Sequence, residues 1–363
     1  MTRISSACIV VVAACLVLGG SCNSNVSLLP PTNLLNQPPG STFSSATVLR
    51  LDASGEATVS GIISGNKVDV YDLGACEPGD RIRVTIQAAP GSPVDPTAGL
   101  FNADGHLLFL NDDANLPAGR LESIIDHIVR VGTDHCFVAT TRSFLATESG
   151  GYDGVVRVER GGSAPTPSVQ ILVLDFRGGR ITIPNVGTRT LPPFDAHDID
   201  PAYDGMTDQI KSGIKASVLE NFEGTGLRVI TTDEAALPLP GTFTTIYFGS
   251  FSQRAFGISQ DVDHDNMNIC DDGIIFTDNF SDPFARRPSV DGIAVAIGNV
   301  AAHEAGHLLG LEHVADVVAL MDTTGTASTL LADQEFKVAP LDKSVFPIGE
   351  QDSPALLNKV IPP

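Results

Sequence analysis

The chain has 363 residues, and its 22 Lys and Arg stand against 43 Asp and Glu, which gives a formal net charge of −21 at pH 7. A balance this acidic excludes nucleic acid as a partner, because binding to a phosphate backbone requires a basic surface. The length is sufficient for two domains with a core each. With 35 Gly and only 18% charged residues, the composition suits a secreted, loop-rich and largely β protein.

The first residues have the features of an export signal, residues 1–22. Arg3 precedes the apolar run 7–18, which is shorter than the roughly 20 residues that span a bilayer. Small residues at 19–21 then precede Cys22, and this arrangement resembles a bacterial lipoprotein cleavage site. The resemblance implies membrane attachment through a lipidated Cys22, with ordinary signal-peptidase cleavage as the alternative. Either reading places the mature chain outside the cytoplasm, in the bacterial cell envelope or secreted.

Residues 23–43 are rich in Asn, Pro, Ser and Leu without periodicity, which predicts a flexible tether. From 44 to 160 the sequence shows short runs that alternate at period two between turn signals, among them 68–73, 81–86 and 155–158. Many short strands at this spacing predict an antiparallel β-sandwich. The order of its features resembles the bacterial pre-peptidase C-terminal domain, through Asp69-Val70-Tyr71, Gly79-Asp80, Leu100–Gly105, Asn111-Asp112-Asp113 and Gly151-Tyr152. The resemblance implies an accessory domain without chemistry of its own.

Three cysteines follow the export signal. An exported setting permits disulfides, and Cys76 and Cys136 both lie at strand-like ends in the predicted sandwich. We predict a disulfide bridge between these two residues, which leaves Cys270 without a cysteine to pair with. The sequence does not settle whether the bridge forms.

The Gly- and Pro-rich stretch 161–168 predicts a linker, so that 169–363 forms a second domain. Strands are predicted at 169–176, 227–232 and 244–249. Between the first two, Met206–Phe222 carries apolar residues every four positions, which predicts one face of a helix. A further strand is predicted at 273–277, followed by a helix over 290–309, and shorter helices over 328–336 and 354–360.

The strongest motif is residues 303–313, which read H-E-x-x-H-x-x-G-x-x-H. On a helix, His303 and His307 leave the same face one turn apart, so both imidazoles can bind one zinc ion. Gly310 can adopt the left-handed conformation that ends a helix, which returns His313 as a third ligand. Three protein ligands leave the fourth position to water, beside Glu304 as general base. Composition alone produces this pattern on the order of 10⁻⁵ times per chain.

This motif, followed by Met321, resembles the metzincin clan of zinc endopeptidases. The resemblance implies an α+β catalytic domain with a mixed twisted sheet and an active-site helix, and a structural role for Met321 beneath the metal. It also implies that the strand at 273–277 lies at the sheet edge, where an extended peptide substrate would pair with it. Val314 stands where matrixins usually have serine and adamalysins aspartate, and Thr323 stands where astacins and serralysins have tyrosine. Matrixin-like is the nearest description.

The loop 257–273 places Asp261, Asp263 and Asp265 at alternate positions, and carboxylate oxygens at this spacing suit calcium. The alternative is a polar loop of turn-forming residues. We therefore predict zinc as the cofactor and calcium as a second, less specific possibility.

The predicted function is zinc-dependent hydrolysis of protein or peptide substrates. The metal would activate water and polarise the scissile carbonyl, and Glu304 would take the proton and return it to the leaving amine. Two alternatives stay open: a non-catalytic metzincin-like protein for adhesion or binding, and a zinc hydrolase of a non-peptide amide or ester. The sequence does not define cleavage preference, zymogen control or oligomeric state.

Overall fold

A computed structural model describes residues 40–167, 169–184, 186–234 and 236–363. The predicted export signal with Cys22, and most of the predicted tether, lie outside the described residues. Among the helices that are described, none combines the length and the apolar character needed to cross a membrane.

Residues 40–160, here called the N-terminal β-region, form two sheets. A five-stranded sheet has the order β1-β3-β8-β5-β6, and a four-stranded sheet has the order β2-β9-β4-β7. Every pairing is antiparallel except that of β1 with β3. The strands are β1 Thr47–Val48, β2 Glu56–Ile63, β3 Asp69–Asp72, β4 Arg81–Ala88, β5 Pro96–Phe101, β6 Leu107–Asn111, β7 Ser123–Ile128, β8 Phe137–Arg142 and β9 Gly150–Glu159.

The period-two pattern of the sequence explains the core of this region. In β4, Ile82, Val84 and Ile86 are fully buried, whereas the intervening Arg81 and Arg83 stay partly exposed. One buried apolar cluster takes side chains from strands of both sheets. The same cluster contains Cys76 and Cys136, whose thiols are neighbours and are not joined in this structure. The predicted disulfide therefore stays a prediction.

Residues 169–363, here called the C-terminal region, contain a mixed five-stranded sheet of order β13-β10-β14-β16-β15. All its neighbours are parallel except β15, which runs antiparallel to β16. The elements are β10 Ile171–Asp175, the hairpin β11 Gly179–Ile183 and β12 Gly187–Leu191, α1 Ala196–Ile199, α2 Thr207–Asn221, β13 Arg228–Thr231, β14 Thr244–Phe248, β15 Gly257–Ser259, β16 Asp272–Ile275, α3 Val290–Leu308, β17 Val338–Pro340, β18 Glu350–Asp352 and α4 Ser353–Val360.

Two predictions are corrected here. The strand predicted at 273–277 is β16, and it is not at the sheet edge, because β15 folds back and covers its outer side. The edge is Gly257–Ser259, a strand of three residues that is too short to give a periodic signal. The helix predicted over 328–336 is a single 3₁₀ turn, Ala327–Leu331.

Helix α3 carries the metal-binding motif and lies in the core. Its side chains from Ala296 onward are buried, and Ser289 caps its start by accepting a hydrogen bond from the Gly292 N–H. Small residues bring α2 close to it: a Cβ on Gly298 would lie 2.5 Å from the Ser217 Cβ. With α2 on one side and the sheet on the other, α3 is held along its whole length.

Candidate metal centre

The last turns of α3 place the first two histidines as predicted. The His303 and His307 rings lie on one face with their centroids 4.8 Å apart. Gly310 has a φ of +92°, and the Leu311 N–H bonds the Gly306 carbonyl at 2.9 Å, so the chain reverses directly after the helix. The reversal brings His313 back, with its ring centroid 4.6 Å from that of His307.

The three histidines present nitrogen atoms to one point. One nitrogen from each of His303, His307 and His313 lies within 4.8 Å of the others, and within the described ranges no other set of three His, Cys, Asp or Glu meets this condition. The His303 Nδ1–H donates to the Leu320 carbonyl and the His307 Nδ1–H donates to the Leu311 carbonyl, both at 2.7 Å. These bonds fix the tautomers, so that each Nε2 carries a free lone pair.

The donor set fits a zinc ion. The Nε2 of His303 is buried without a hydrogen-bond partner, and the Nε2 atoms of His307 and His313 face each other at 3.0 Å. Burial lowers the pKa of all three imidazoles, in His313 to about 3, so they are neutral at pH 7 and able to ligate. Three neutral imidazoles that converge in a buried site match the ligand chemistry of catalytic zinc.

Glu304 lies next to this point, against the edge strand. Burial raises the pKa of its carboxyl to about 8, and the neighbouring Ser259 acts in the opposite direction. Its Oε2 is buried without a hydrogen-bond partner. A Cβ on Gly257 would lie 2.5 Å from the Glu304 Oε1, so glycine at that position makes room for the carboxylate. The carboxyl is thus positioned for proton transfer beside the histidines.

Met321 packs against the last turns of α3, and its predicted role beneath the metal stays a prediction. Its side chain is buried, and its sulfur lies 2.8 Å from the position that a Cβ on Gly306 would take. The Val314 N–H donates to the Met321 carbonyl at 3.1 Å. The segment around Met321 therefore supports both α3 and the chain that follows His313.

An open cleft of about 520 Å³ adjoins His303, a volume that includes space open to solvent. His303 and Glu304 form part of its wall, and the edge residue Gly257 forms another part. Most of the remaining lining comes from the turn after Met321, residues 322–330. A ligand in the cleft would therefore contact His303, the Glu304 carboxyl and the sheet edge together.

The three aspartates of the predicted calcium loop do not converge on one point. The Asp263 Oδ2 accepts the Asn268 N–H at 2.7 Å, and the Asp261 Oδ1 accepts the Val262 N–H at 2.9 Å. Burial works against ionisation of Asp265, but His127 and Arg130 hold its pKa below the ordinary value. Calcium in this loop stays a prediction.

Sequence reasoning missed several residues that hold the segment of His313. The Gln351 side chain bonds the backbone of Glu312 twice, and the His264 Nε2 lies 3.2 Å from the Glu312 Oε1. Gln351 belongs to no motif. His264 lies in the aspartate-rich loop 257–273, but no pattern in the sequence indicates its contact with Glu312, 48 positions away.

Comparison with known proteins gives the class of this centre. Residues 261–344 match the family model described as Matrixin, and this segment holds α3, the three histidines, Glu304 and Met321. The match over this segment confirms the matrixin-like resemblance and supports a zinc peptidase. No curated protein matches the chain.

Several solved structures are similar to parts of the chain. Archaemetzincin from Methanopyrus kandleri is 13% identical, with 47% of this chain and 91% of that chain covered and a TM-score of 0.27. The pre-peptidase C-terminal domain of collagenase from Bacillus anthracis is 14% identical, with 31% and 93% covered and a TM-score of 0.24. The periplasmic lysozyme inhibitor PliG from Aeromonas hydrophila is 11% identical, with 31% and 95% covered and a TM-score of 0.26. TM-scores this low do not define a function.

Proposed function

We propose that the protein is an exported zinc-dependent endopeptidase. The observation that carries the proposal is the convergence of three neutral imidazoles on a point beside both Glu304 and an open cleft. A structural zinc site would use a fourth protein ligand, and the described residues bring no fourth His, Cys, Asp or Glu into this group. The match to the matrixin family over 261–344 supports the same reaction class.

In this proposal His303, His307 and His313 hold the zinc ion through their Nε2 atoms. Bound zinc supplies Lewis acidity, which polarises the scissile carbonyl and makes water at the open position more acidic. Glu304 takes a proton from the attacking water and returns it to the leaving amine. Burial raises the pKa of this carboxyl, and a bound zinc ion would lower it again, toward the range in which a carboxyl can accept and release a proton.

An extended peptide would bind along β15. Its outer side has no strand partner in the described sheet, so its backbone N–H and C=O groups can pair with a substrate. Gly257 belongs both to this strand and to the cleft wall. Pairing there would place a peptide in the cleft beside His303 and Glu304, which favours a peptide over a small ester.

The remaining expectations form part of the same proposal. The export signal, with either a lipidated Cys22 or ordinary cleavage, would place the enzyme in the cell envelope or outside the cell. The N-terminal β-region would be a sandwich-type accessory domain, 44–160, linked by 161–168 to the catalytic domain 169–363. Calcium bound at Asp261, Asp263 and Asp265 would be an additional, structural ion.

A casein or peptide-library digest tests the proposal. It compares wild type, chelator-treated wild type and Glu304→Ala, with zinc content measured in each sample. We expect cleavage by wild type alone, and zinc retained by Glu304→Ala because this residue is not a ligand. A zinc-loaded wild type that cuts no peptide but hydrolyses a simple ester would point to the non-peptide alternative. Zinc binding without any hydrolysis would point to a binding protein.

A further inference from the structure

Two separate parts of the C-terminal region connect the N-terminal β-region to the segment that carries the third histidine. The first part is the loop before α3. The His127 Nδ1 lies 2.8 Å from the Asp265 Oδ2, and an Arg130 Nη donates to the Asp265 carbonyl at 3.2 Å. Asp265 has a φ of +69°, which costs energy in a residue other than glycine and persists only when neighbours hold it.

From this loop the contact continues to the metal centre. The ring of His264 packs on the Phe109 ring of the β-region at 4.7 Å and reaches Glu312, the residue before His313. One residue earlier, the Asp263 N–H donates to the His307 carbonyl at 2.9 Å. The loop thus connects the β-region to the backbone of His307 and to the side chain of Glu312, the residue before His313.

The second part is the stretch 341–351, after the segment of Met321. The Phe346 ring packs on the Phe101 ring of the β-region at 5.4 Å, and the Glu350 N–H donates to the Gly105 carbonyl at 3.1 Å. The next residue, Gln351, is fully buried and spans the backbone of Glu312, accepting from its N–H at 2.7 Å and donating to its carbonyl at 2.9 Å.

In the same stretch, the Asp342 N–H donates to the carbonyl of His313 itself at 3.0 Å. The chain from Leu311 to His313 has no regular secondary structure of its own. It is held in place by the loop on one side and by the stretch 341–351 on the other. A metal-binding residue on such a segment depends on contacts with other segments for its position. A metal centre tolerates only small displacements of these residues, so the contacts matter for metal affinity.

We propose that the N-terminal β-region is a structural part of the metal centre, and that His127 and Arg130 act as positioning residues for the third zinc ligand. The inference rests on the proposed zinc site. It assigns to the β-region a role that an accessory domain would not have: it sets the affinity for the metal through the loop that contains Asp265.

The test uses the full chain and the double substitution His127→Ala with Arg130→Ala. The matched control is Arg81→Ala with Arg83→Ala, which removes two cations whose ion-pair partners, Asp126 and Glu159, lie within the β-region. Zinc affinity is measured by competition with a chromophoric chelator, and folding by circular dichroism and Tm. We expect the zinc Kd to rise roughly 10–100-fold in the first variant and to stay unchanged in the control.

Cobalt substitution supplies a second readout. The visible absorption of bound Co²⁺ reports its ligand geometry, and we expect it to change in the first variant and not in the control. A zinc Kd and a cobalt spectrum equal to those of wild type would overturn the inference, whatever the loss in Tm. If the double variant does not fold, His127→Phe, which keeps a ring and removes the nitrogen that contacts the Asp265 Oδ2, takes its place with the same two readouts.

The outcome is independent of catalysis. A wild type that binds zinc but cleaves no peptide would contradict the proposed function and leave this inference standing. A wild type that binds no zinc, with the same result for His303→Ala, would contradict both.

Discussion

Glu304 shows how one side chain receives its function from its surroundings. On its own a carboxyl is a weak base, but here burial raises its pKa to about 8. The motif predicted the residue, and its role as general base is part of the proposed function. The contacts of the carboxyl with Gly257 and Ser259 were not predictable, because they depend on an edge strand some 45 residues earlier that has no sequence signal.

The pH dependence of kcat/KM follows from this pKa. Glu304 must be ionised to act as a base, so activity falls as pH decreases through its pKa. Burial raises that pKa above the ordinary 4.5, and a bound zinc ion lowers it again from about 8. We expect an acid limb with an apparent pKa between these values, measured on a neutral peptide with zinc in excess. An acid limb at or below 4.5 would contradict the account.

Glu304→Gln removes the base and keeps the shape of the side chain. We expect kcat to fall by roughly 10²–10⁴-fold, the usual range for a lost general base, with zinc content unchanged. The measurement is peptide cleavage under saturating substrate. A variant that keeps wild-type kcat would show that another group moves the proton.

At the scale of elements, the important feature is how α3 ends. The spacing of the motif predicted both the helix and its termination at Gly310, since only the backbone period and the freedom of glycine enter that argument. The loop that packs against this turn was not predictable from the sequence. A Cβ on Gly310 would lie 2.9 Å from the carbonyl oxygen of Asp263, so the turn is packed against the loop as well as left-handed.

A comparison of Gly310→Ala with Gly224→Ala separates the cost of the left-handed backbone from the cost of the close contact with Asp263. Gly224 has a φ of +80° with nothing within 4 Å of a built Cβ, so alanine there costs about 1–2 kcal/mol of unfolding free energy for the backbone alone. We expect a larger loss at Gly310, because the Asp263 backbone must also move, together with weaker zinc binding. Denaturant unfolding of both metal-free variants measures the difference. Equal losses would show that the close contact does not matter.

At the scale of the whole molecule, composition and pattern predicted a β-rich first half and an α+β second half, and the strands and helices agree in most places. The contacts between the halves could not be predicted. His127 and Asp265 are 138 positions apart, and neither carries a local pattern that would indicate the other. Burial and ion pairing across such distances are products of the fold, and a periodic sequence signal does not contain them.

The cysteines test the predicted setting of the whole chain. Cys76 and Cys136 are fully buried and adjacent, whereas Cys270 is exposed. We expect protein made in an oxidising compartment to carry the Cys76–Cys136 disulfide, formed by exchange with an external disulfide that takes up both hydrogens. Alkylation after denaturation would then label Cys270 and not this pair. Labelling of the pair without prior reduction would contradict the prediction.

The central claim is that three imidazoles hold one zinc ion with an open coordination position. A crystal structure of the zinc-loaded protein, with the metal located by its anomalous scattering, tests it directly. We expect one ion bound by the Nε2 atoms of His303, His307 and His313, with a fourth position occupied by solvent beside Glu304. A fourth protein side chain on the ion, or an ion bound elsewhere while these imidazoles stay free, would contradict it.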